Sequence, residues 1–221
     1  MQLFCRMHEL PFYQFHLYDM YYVIDFGTSV RKFSSAPYNG GAGACRYYVN
    51  RTVPHNYCED VLGEGTHFLE KYGIEPAQTC MNLTACDIRK FAFREIDSGL
   101  FRISAWVTAG VSNALSIGSH GISLPGTVNI AMLTDAPLSD SAAINGVQGI
   151  TEAKAQAFND LKILDPVTGK KAPGTSTDTV SLFIANTAEN MEFGGRLTDF
   201  GRNASVLAYD LVSEAIRKCS K

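Results

Sequence analysis

Residues 127–134 have the sequence Thr-Val-Asn-Ile-Ala-Met-Leu-Thr, an apolar run with the length of a buried strand. A turn after Asp135 leads into a segment where Ser139 can cap a helix and Asp140 suits the first turn. We predict that this helix ends near Leu164. The stretch therefore supplies a central strand and the helix that follows it.

Other segments add elements around this centre. Residues 12–35 are aromatic and β-branched, with breaks at Tyr18-Asp19 and Gly27-Thr28, which predicts an N-terminal β-meander of two or three strands. The remaining predicted elements are strands at 78–85, 91–96, 100–107 and 180–185 and helices at 58–72 and 203–218. We therefore predict one domain spanning residues 1–221, with an α/β or α+β fold in which helices pack on a layered mixed sheet.

The composition excludes several classes of function. A net charge of -3 and a pI near 5.9 give no basic surface for nucleic acid or an anionic membrane. The sequence has no run of about 18 apolar residues, which a membrane span needs, and its start lacks signal-peptide features, so we predict a cytoplasmic protein. The six cysteines and five histidines are scattered, which favours reduced thiols and no tight metal site.

The predicted helix has a lysine on its apolar face. This face comprises Ile144, Val147, Thr151, Lys154, Phe158 and Leu161. A buried ammonium group needs an acidic partner, for which Asp135 and Asp178 are candidates, unless Lys154 extends to solvent from the edge of the face. Glu152 lies about 200° away around a regular helix and shares the face of Lys154 only if glycines break the helix.

A run of hydroxyl groups around one acid precedes the strand at 180–185. It is Gly174-Thr175-Ser176-Thr177-Asp178-Thr179. Its hydroxyl and N–H groups can bind a carbonyl or anionic oxygen while Asp178 accepts a proton or orients water. The alternative is a turn that is capped by its own side chains.

Three further polar positions are candidates for ligand contact. Asn113 can bind a carbonyl or an amide group, and Asn129 must either tie the backbone together or face a ligand, because it lies among apolar neighbours. Asn39-Gly40-Gly41 allows close backbone approach to a ligand, although such a sequence also forms plain turns. These residues alone predict an enzyme-like domain with a polar site and do not define its reaction.

Taken together, the motifs resemble the adenosylcobinamide amidohydrolase family of corrinoid salvage. The matching pieces are Asn39-Gly40-Gly41, Val53-Pro54, Thr108-Ala109-Gly110, Asn113-Ala114, Gly126-Thr127-Val128-Asn129, Thr151-Glu152-Ala153-Lys154 and Gly174-Thr175-Ser176-Thr177-Asp178. The sequence departs from the family pattern in two places. The family pattern looks like Thr-Gly-Thr-Gly-Thr-Asp where this chain has Ala172-Pro173-Gly174-Thr175-Ser176-Thr177-Asp178, and the second expected departure is the length of the loop from Leu164 to Pro173. The first twenty residues lie outside the resemblance.

The resemblance implies hydrolysis of the amide that joins the aminopropanol arm to a corrin propionyl group. It implies a corrinoid substrate that brings its own cobalt and no other cofactor. A homo-oligomer is compatible with the sequence, which does not show the oligomeric state. Asp178 or Glu152 is then the general base, and Lys154 stabilises the oxyanion or tunes the base. The residues expected to bind the substrate are Asn39, Gly40, Gly41, Asn113, Asn129, Thr175 and Thr177, with Tyr38 or Trp106 against the ring.

Two questions stay open at this point. Direct attack by water is favoured because no histidine adjoins the hydroxyl run, but a covalent route through Thr175 or Thr177 is an alternative. The second question is the function itself, for which there are two alternatives to the corrinoid amidohydrolase. One is a non-catalytic corrinoid- or nucleotide-binding module, and the other is an amidase for a small peptide-like substrate.

Overall fold

The computed structural model describes residues 13–122 and 124–219. Eight strands and three α-helices occupy this part of the chain. In chain order they are β1 (Gln14–Leu17), β2 (Tyr21–Ser34), β3 (Gly41–Thr52), α1 (Val61–Lys71), β4 (Thr79–Thr84), β5 (Ala92–Asp97), β6 (Arg102–Ala109), β7 (Val128–Thr134), α2 (Asp140–Asp160), β8 (Thr179–Ile184) and α3 (Asp199–Cys219). The predicted elements of the central stretch are therefore confirmed, with the helix ending four residues before Leu164.

All eight strands belong to one mixed sheet. Its order is β4-β3-β2-β8-β7-β6-β5, and β1 pairs with β2 beside this path. The pairs β3–β4 and β7–β8 are parallel, and the others are antiparallel. The predicted layered mixed sheet is thus confirmed.

The N-terminal meander differs from the prediction at Gly27. No hairpin turn occurs there: β2 continues through a register shift between Asp25 and Val30, and Gly27 has a φ of 71°. The arrangement is a β-bulge. Glycine with a positive φ is common in both bulges and turns, so the sequence alone does not distinguish them. Because the strand continues, its first half pairs with β1 and its last residues, Arg31 to Ser34, pair with β8 along the same edge.

The sheet bends so that its two halves face each other. Trp106 of β6 packs against Phe15 of β1, with ring centroids 6.3 Å apart. The ring of Phe183 in β8 packs against that of Tyr48 in β3, with centroids 5.3 Å apart. A large aromatic cluster fills the space between the halves. Helices α2 and α3 cover the outer face of the β5–β8 half, and α1 covers the outer face of the other half. The result is four layers, with the β-strands in the middle two.

The buried face of α2 matches the stripe expected from the sequence at Lys154 and Phe158 but not at every position. Ile144 is 53% exposed and Thr151 is also exposed, so their prediction as buried was wrong. Small residues dominate the buried positions, which are Ala142, Ala143, Gly146, Gly149, Ile150, Ala153, Lys154, Ala157 and Phe158. A Cβ on Gly146 would come within 2.8 Å of the Phe200 ring of α3, so this glycine lets two helices approach and does not break α2.

None of the described helices has the length and apolar character needed to cross a membrane.

Candidate active site

Lys154 and Asp178 form a buried ion pair at the inner side of α2. The Lys154 Nζ donates to Asp178 Oδ2, and the two side chains are only 10% and 9% exposed. Asp135, the other candidate partner, instead binds Arg102 at 3.0 Å. Lys154 therefore does not extend to solvent, because α2 directs it at the loop that precedes β8.

The loop at 174–178 folds around the Asp178 carboxylate. Oδ1 accepts from the Val128 amide at 2.9 Å and from the Thr175 hydroxyl, and Oδ2 accepts from the Thr175 amide at 2.9 Å and from Lys154. These four hydrogen bonds fill the acceptor capacity of a carboxylate. A Cβ on Gly174 would overlap Asp178 Oδ2 and lie 2.5 Å from Lys154 Nζ, so this arrangement requires glycine there.

A second loop joins the hydroxyl run from the end of β6. Asn113 donates from Nδ2 to Ser176 Oγ at 3.1 Å, while its buried Oδ1 has no hydrogen-bond partner among the described residues. Thr177 donates from its hydroxyl to the Gly126 carbonyl at 2.9 Å. Thr127 in turn donates to the Thr177 carbonyl at 2.7 Å. These bonds fix the two loops against each other at one end of the sheet.

The two loops border a cavity of about 620 Å³. Its polar end is lined by Asn113, Thr127, Ser176, Thr177, Asp178 and Thr179. Its other walls are largely apolar and include Pro37, Val53, Pro54, Val61, Leu83, Ile122, Leu124 and Pro125. A mostly apolar cavity with a few converging polar groups is the usual form of a small-molecule site.

Two further titratable side chains, His55 and Tyr57, also line the cavity. Burial raises the pKa of Tyr57 to about 12, and its hydrogen bond to Glu64, at 2.9 Å, adds to the shift. The phenol is therefore protonated at neutral pH. Glu64 also accepts two hydrogen bonds of 2.7 Å from Arg51, which anchors this wall to β3.

Of the ten candidate site residues, Asn113, Thr177 and Asp178 line the cavity, whereas Glu152 and Asn129 lie away from it. Glu152 is on the exposed face of α2 and pairs with Arg196 at 3.0 Å, with 55% of its side chain exposed. Because α2 is a continuous helix, Glu152 and Lys154 lie on different faces of it. Asn129 is fully buried between the sheet halves, where its Nδ2 donates to Asn50 Oδ1 at 3.0 Å and to the Leu83 carbonyl at 2.8 Å.

The segment Asn39-Gly40-Gly41 forms a turn beside the cavity and does not line it. Asn39, with φ of 48°, donates to the carbonyls of Pro76 and Thr79, each at 3.0 Å. Tyr38 is buried with its hydroxyl 2.8 Å from that of Thr66, and Trp106 is buried in the aromatic cluster. The expectation that these two rings meet a ligand was wrong, because both are packed in the interior.

The structure thus brings together Asn113, Thr175, Thr177, Asp178 and Lys154 of the predicted set. It also adds residues that the sequence argument did not select. Ser176 belongs to the hydroxyl run 174–179 but was not selected as a site residue. Val53 and Pro54, which matched the family pattern, form part of the apolar cavity wall. Nothing local in the sequence marked Ile122 or Leu124 as cavity walls.

A metal site of protein ligands is not evident in the part of the chain that the structure describes, where no group of three or more His, Cys, Asp or Glu side chains converges. The absence of a resident metal or cofactor stays a prediction.

Comparison with known proteins agrees with the resemblance seen in the motifs. The family model for adenosylcobinamide amidohydrolase matches residues 7–221. An adenosylcobinamide amidohydrolase of Methanosarcina mazei is 28% identical over 204 residues, covering 86% of this chain and 90% of that protein. An uncharacterized protein of Methanocaldococcus jannaschii is 27% identical over 205 residues, covering 80% and 78% of the two chains.

Several solved structures are also similar to this chain, among them two aminopeptidases. A Burkholderia sp. beta-aminopeptidase has a TM-score of 0.46 and 13% identity, covering 90% of this chain and 78% of that chain. The L-aminopeptidase D-Ala-esterase/amidase of Ochrobactrum anthropi has a TM-score of 0.44 and 12% identity, covering 94% and 82%. Since the family model spans nearly the whole sequence, this chain is an amide-cleaving hydrolase that belongs to the adenosylcobinamide amidohydrolase family.

Proposed function

We propose that this protein hydrolyses the amide between the aminopropanol arm and a corrin propionyl group of adenosylcobinamide. The products are adenosylcobyric acid and 1-amino-2-propanol, from which a cell can rebuild its own cobamide. The observation that carries the proposal is the family membership over residues 7–221. A cavity with a carboxylate and several hydroxyls at its polar end supports it, because amide cleavage needs both kinds of group.

The size of the cavity suggests how such a substrate sits. About 620 Å³ suits a drug-sized molecule, whereas a cobalt corrin with an adenosyl ligand is larger. The aminopropanol arm therefore enters the cavity and the ring stays at its mouth. Ile122 and Leu124, which are 42% and 46% exposed, offer apolar surface for the ring at that mouth. Cobalt comes with the substrate, and the protein needs no cofactor of its own.

The polar end supplies the groups that the reaction requires. Asn113 Nδ2 and the Ser176 hydroxyl are donors for the oxygen that becomes negative when the amide carbon is attacked. Asp178 is the proton acceptor of the first step and later returns the proton to the leaving amine. Lys154 lies behind Asp178 and outside the lining, so it acts by holding the carboxylate and its charge in place.

A direct test is incubation of the purified protein with adenosylcobinamide, with aminopropanol and adenosylcobyric acid followed by mass spectrometry. We expect both products in equal amounts. A substrate that binds and stays intact would instead favour the non-catalytic corrinoid-binding module. A substrate that does not bind, tested with small peptide amides in parallel, would favour an amidase of other specificity.

A further inference from the structure

The hydrogen bonds of Asp178 restrict which molecule it can deprotonate. All four of its acceptor positions are occupied by protein donors. A water molecule would have to displace one of these donors before it could give a proton to the carboxylate. Three of them are backbone amides or an ammonium group, and the fourth is the Thr175 hydroxyl. Among the residues that the structure describes, Thr175 is therefore the one whose hydroxyl is already in contact with the base.

The neighbouring hydroxyls lack such a base among the residues that the structure describes. Thr177 donates its proton to the carbonyl oxygen of Gly126, at 2.9 Å, and a carbonyl does not remove a proton from a hydroxyl at neutral pH. Ser176 receives a hydrogen bond from the Asn113 amide, which is a donor and not a base. Among these hydroxyls, only that of Thr175 contacts a base, Asp178, that is itself held in place by a third group, Lys154. Activated hydroxyl nucleophiles share this arrangement.

We propose that Thr175 is the nucleophile of the reaction, with Asp178 as its base and Lys154 as a positioning residue. This inference rests on the proposed function and decides between its two chemical routes. Thr175 is partly exposed and adjoins Ser176, which lines the cavity, although Thr175 itself is not one of the lining residues. Its hydroxyl contacts the Asp178 carboxylate, which does line the cavity. Lys154 holds Oδ2, so that Oδ1 faces the Thr175 hydroxyl.

The covalent route balances without any further reagent. Asp178 takes the Thr175 proton as Oγ bonds to the amide carbon, and the carbonyl oxygen becomes negative. When the C–N bond breaks, the proton passes from Asp178 to the amine, which leaves as 1-amino-2-propanol. The corrinoid acyl group is now an ester of Thr175. The ester oxygen of Thr175 no longer donates to Oδ1, so water can bind there and attack the ester with Asp178 as base. The proton then returns to Thr175 as adenosylcobyric acid departs.

Interception with hydroxylamine tests the ester directly. We expect the wild-type protein, given adenosylcobinamide and hydroxylamine, to form the hydroxamate of adenosylcobyric acid while the initial rate of amine release stays unchanged. Rapid acid quenching, proteolysis and mass spectrometry should place the acyl group on the peptide that contains Thr175. Amine release with neither hydroxamate nor acyl peptide would overturn the inference and leave the proposed function intact.

Substitutions at residue 175 provide the second measurement. Thr175→Ser keeps a hydroxyl group and should retain acylation, whereas Thr175→Val should lower turnover at least about 1,000-fold. Thr151→Val is the matched control, because Thr151 is exposed and its hydroxyl donates to the Val147 carbonyl within α2. This variant should retain normal turnover. Near-normal turnover in Thr175→Val would overturn the inference. If that variant does not fold, the hydroxylamine experiment on the wild type decides, and absence of amine release by the wild type would mean that the proposed function itself fails.

Discussion

The structure describes two buried lysines, and each lies beneath a glycine-containing loop that was quoted for the family resemblance. Lys154 binds a carboxylate that borders the cavity. Lys32 donates to the carbonyls of Gly40 and Gly41, at 2.9 and 3.5 Å, and no carboxylate of the described residues pairs with it. Both loops contain glycine and match the family, so the presence of a carboxylate facing a cavity is what separates the candidate active site from a structural turn.

The largest expected effect comes from Asp178→Asn. Removal of the base should lower turnover about 100- to 10,000-fold. The new amide can still accept from Lys154, but its N–H groups then face the Val128 amide, so unfolding free energy should fall by about 1–3 kcal/mol. Mass-spectrometric turnover and urea unfolding measure the two effects.

Asp135→Asn is the matched control for that substitution, because its ion pair with Arg102 lies outside the cavity lining. It should keep normal turnover. If both variants lose activity equally, the special role given to the Asp178 loop is wrong.

The lysines themselves provide the next contrast. Lys154→Met leaves the Asp178 charge buried without its partner and should lower the unfolding free energy by about 3–5 kcal/mol, with loss of activity. Lys32→Met removes a buried charge that lacks a counter-ion and leaves one or two carbonyls without a donor. These effects oppose each other, so we expect a change below about 2 kcal/mol and normal turnover. Equal losses of stability in urea would contradict the comparison.

The glycines of the two loops should separate activity from stability. A Cβ at residue 174 would overlap Asp178 Oδ2, so Gly174→Ala should shift the carboxylate and reduce turnover about 100-fold. A Cβ at residue 40 would overlap the Ala36 carbonyl, so Gly40→Ala should cost about 1–3 kcal/mol of stability through overpacking. The Gly40→Ala protein that remains folded should have the same turnover rate as the wild type. Thermal unfolding combined with assays below the transition distinguishes these outcomes.

The smallest effect is expected for Glu152→Gln. The exposed pair with Arg196 contributes about 0–1 kcal/mol, and Glu152 does not line the cavity. Turnover should remain within about twofold of the wild type. A large loss in the turnover assay would return Glu152 to the list of candidate bases.

Much of this site follows from local sequence patterns. The helix cap at Ser139 and the 3.6-residue repeat of the helix predicted that Lys154 is buried. Because burial of an unpaired ammonium group is costly, Lys154 was then expected to have an acidic partner. Other parts depend on contacts between distant segments. Gly27 suits a bulge and a turn equally, and the glycines and alanines of α2 give no hydrophobic signal although they form its buried face. The cavity walls near Pro54 and Leu124 meet the hydroxyl run only through the tertiary fold.

The pairing of β2 with β8 has a consequence for synthesis of the chain. Arg31 pairs with Ile184, so about 150 residues separate the partners. Ribosomes add roughly 5–20 residues per second, which means that Arg31 to Ser34 remain without β8 for roughly 8–30 s. During that interval the segment is an open strand edge, the type of surface on which nascent chains associate wrongly. Because one edge of β2 pairs with both β1 and β8, that edge is completed only after the C-terminal third of the chain has been synthesised.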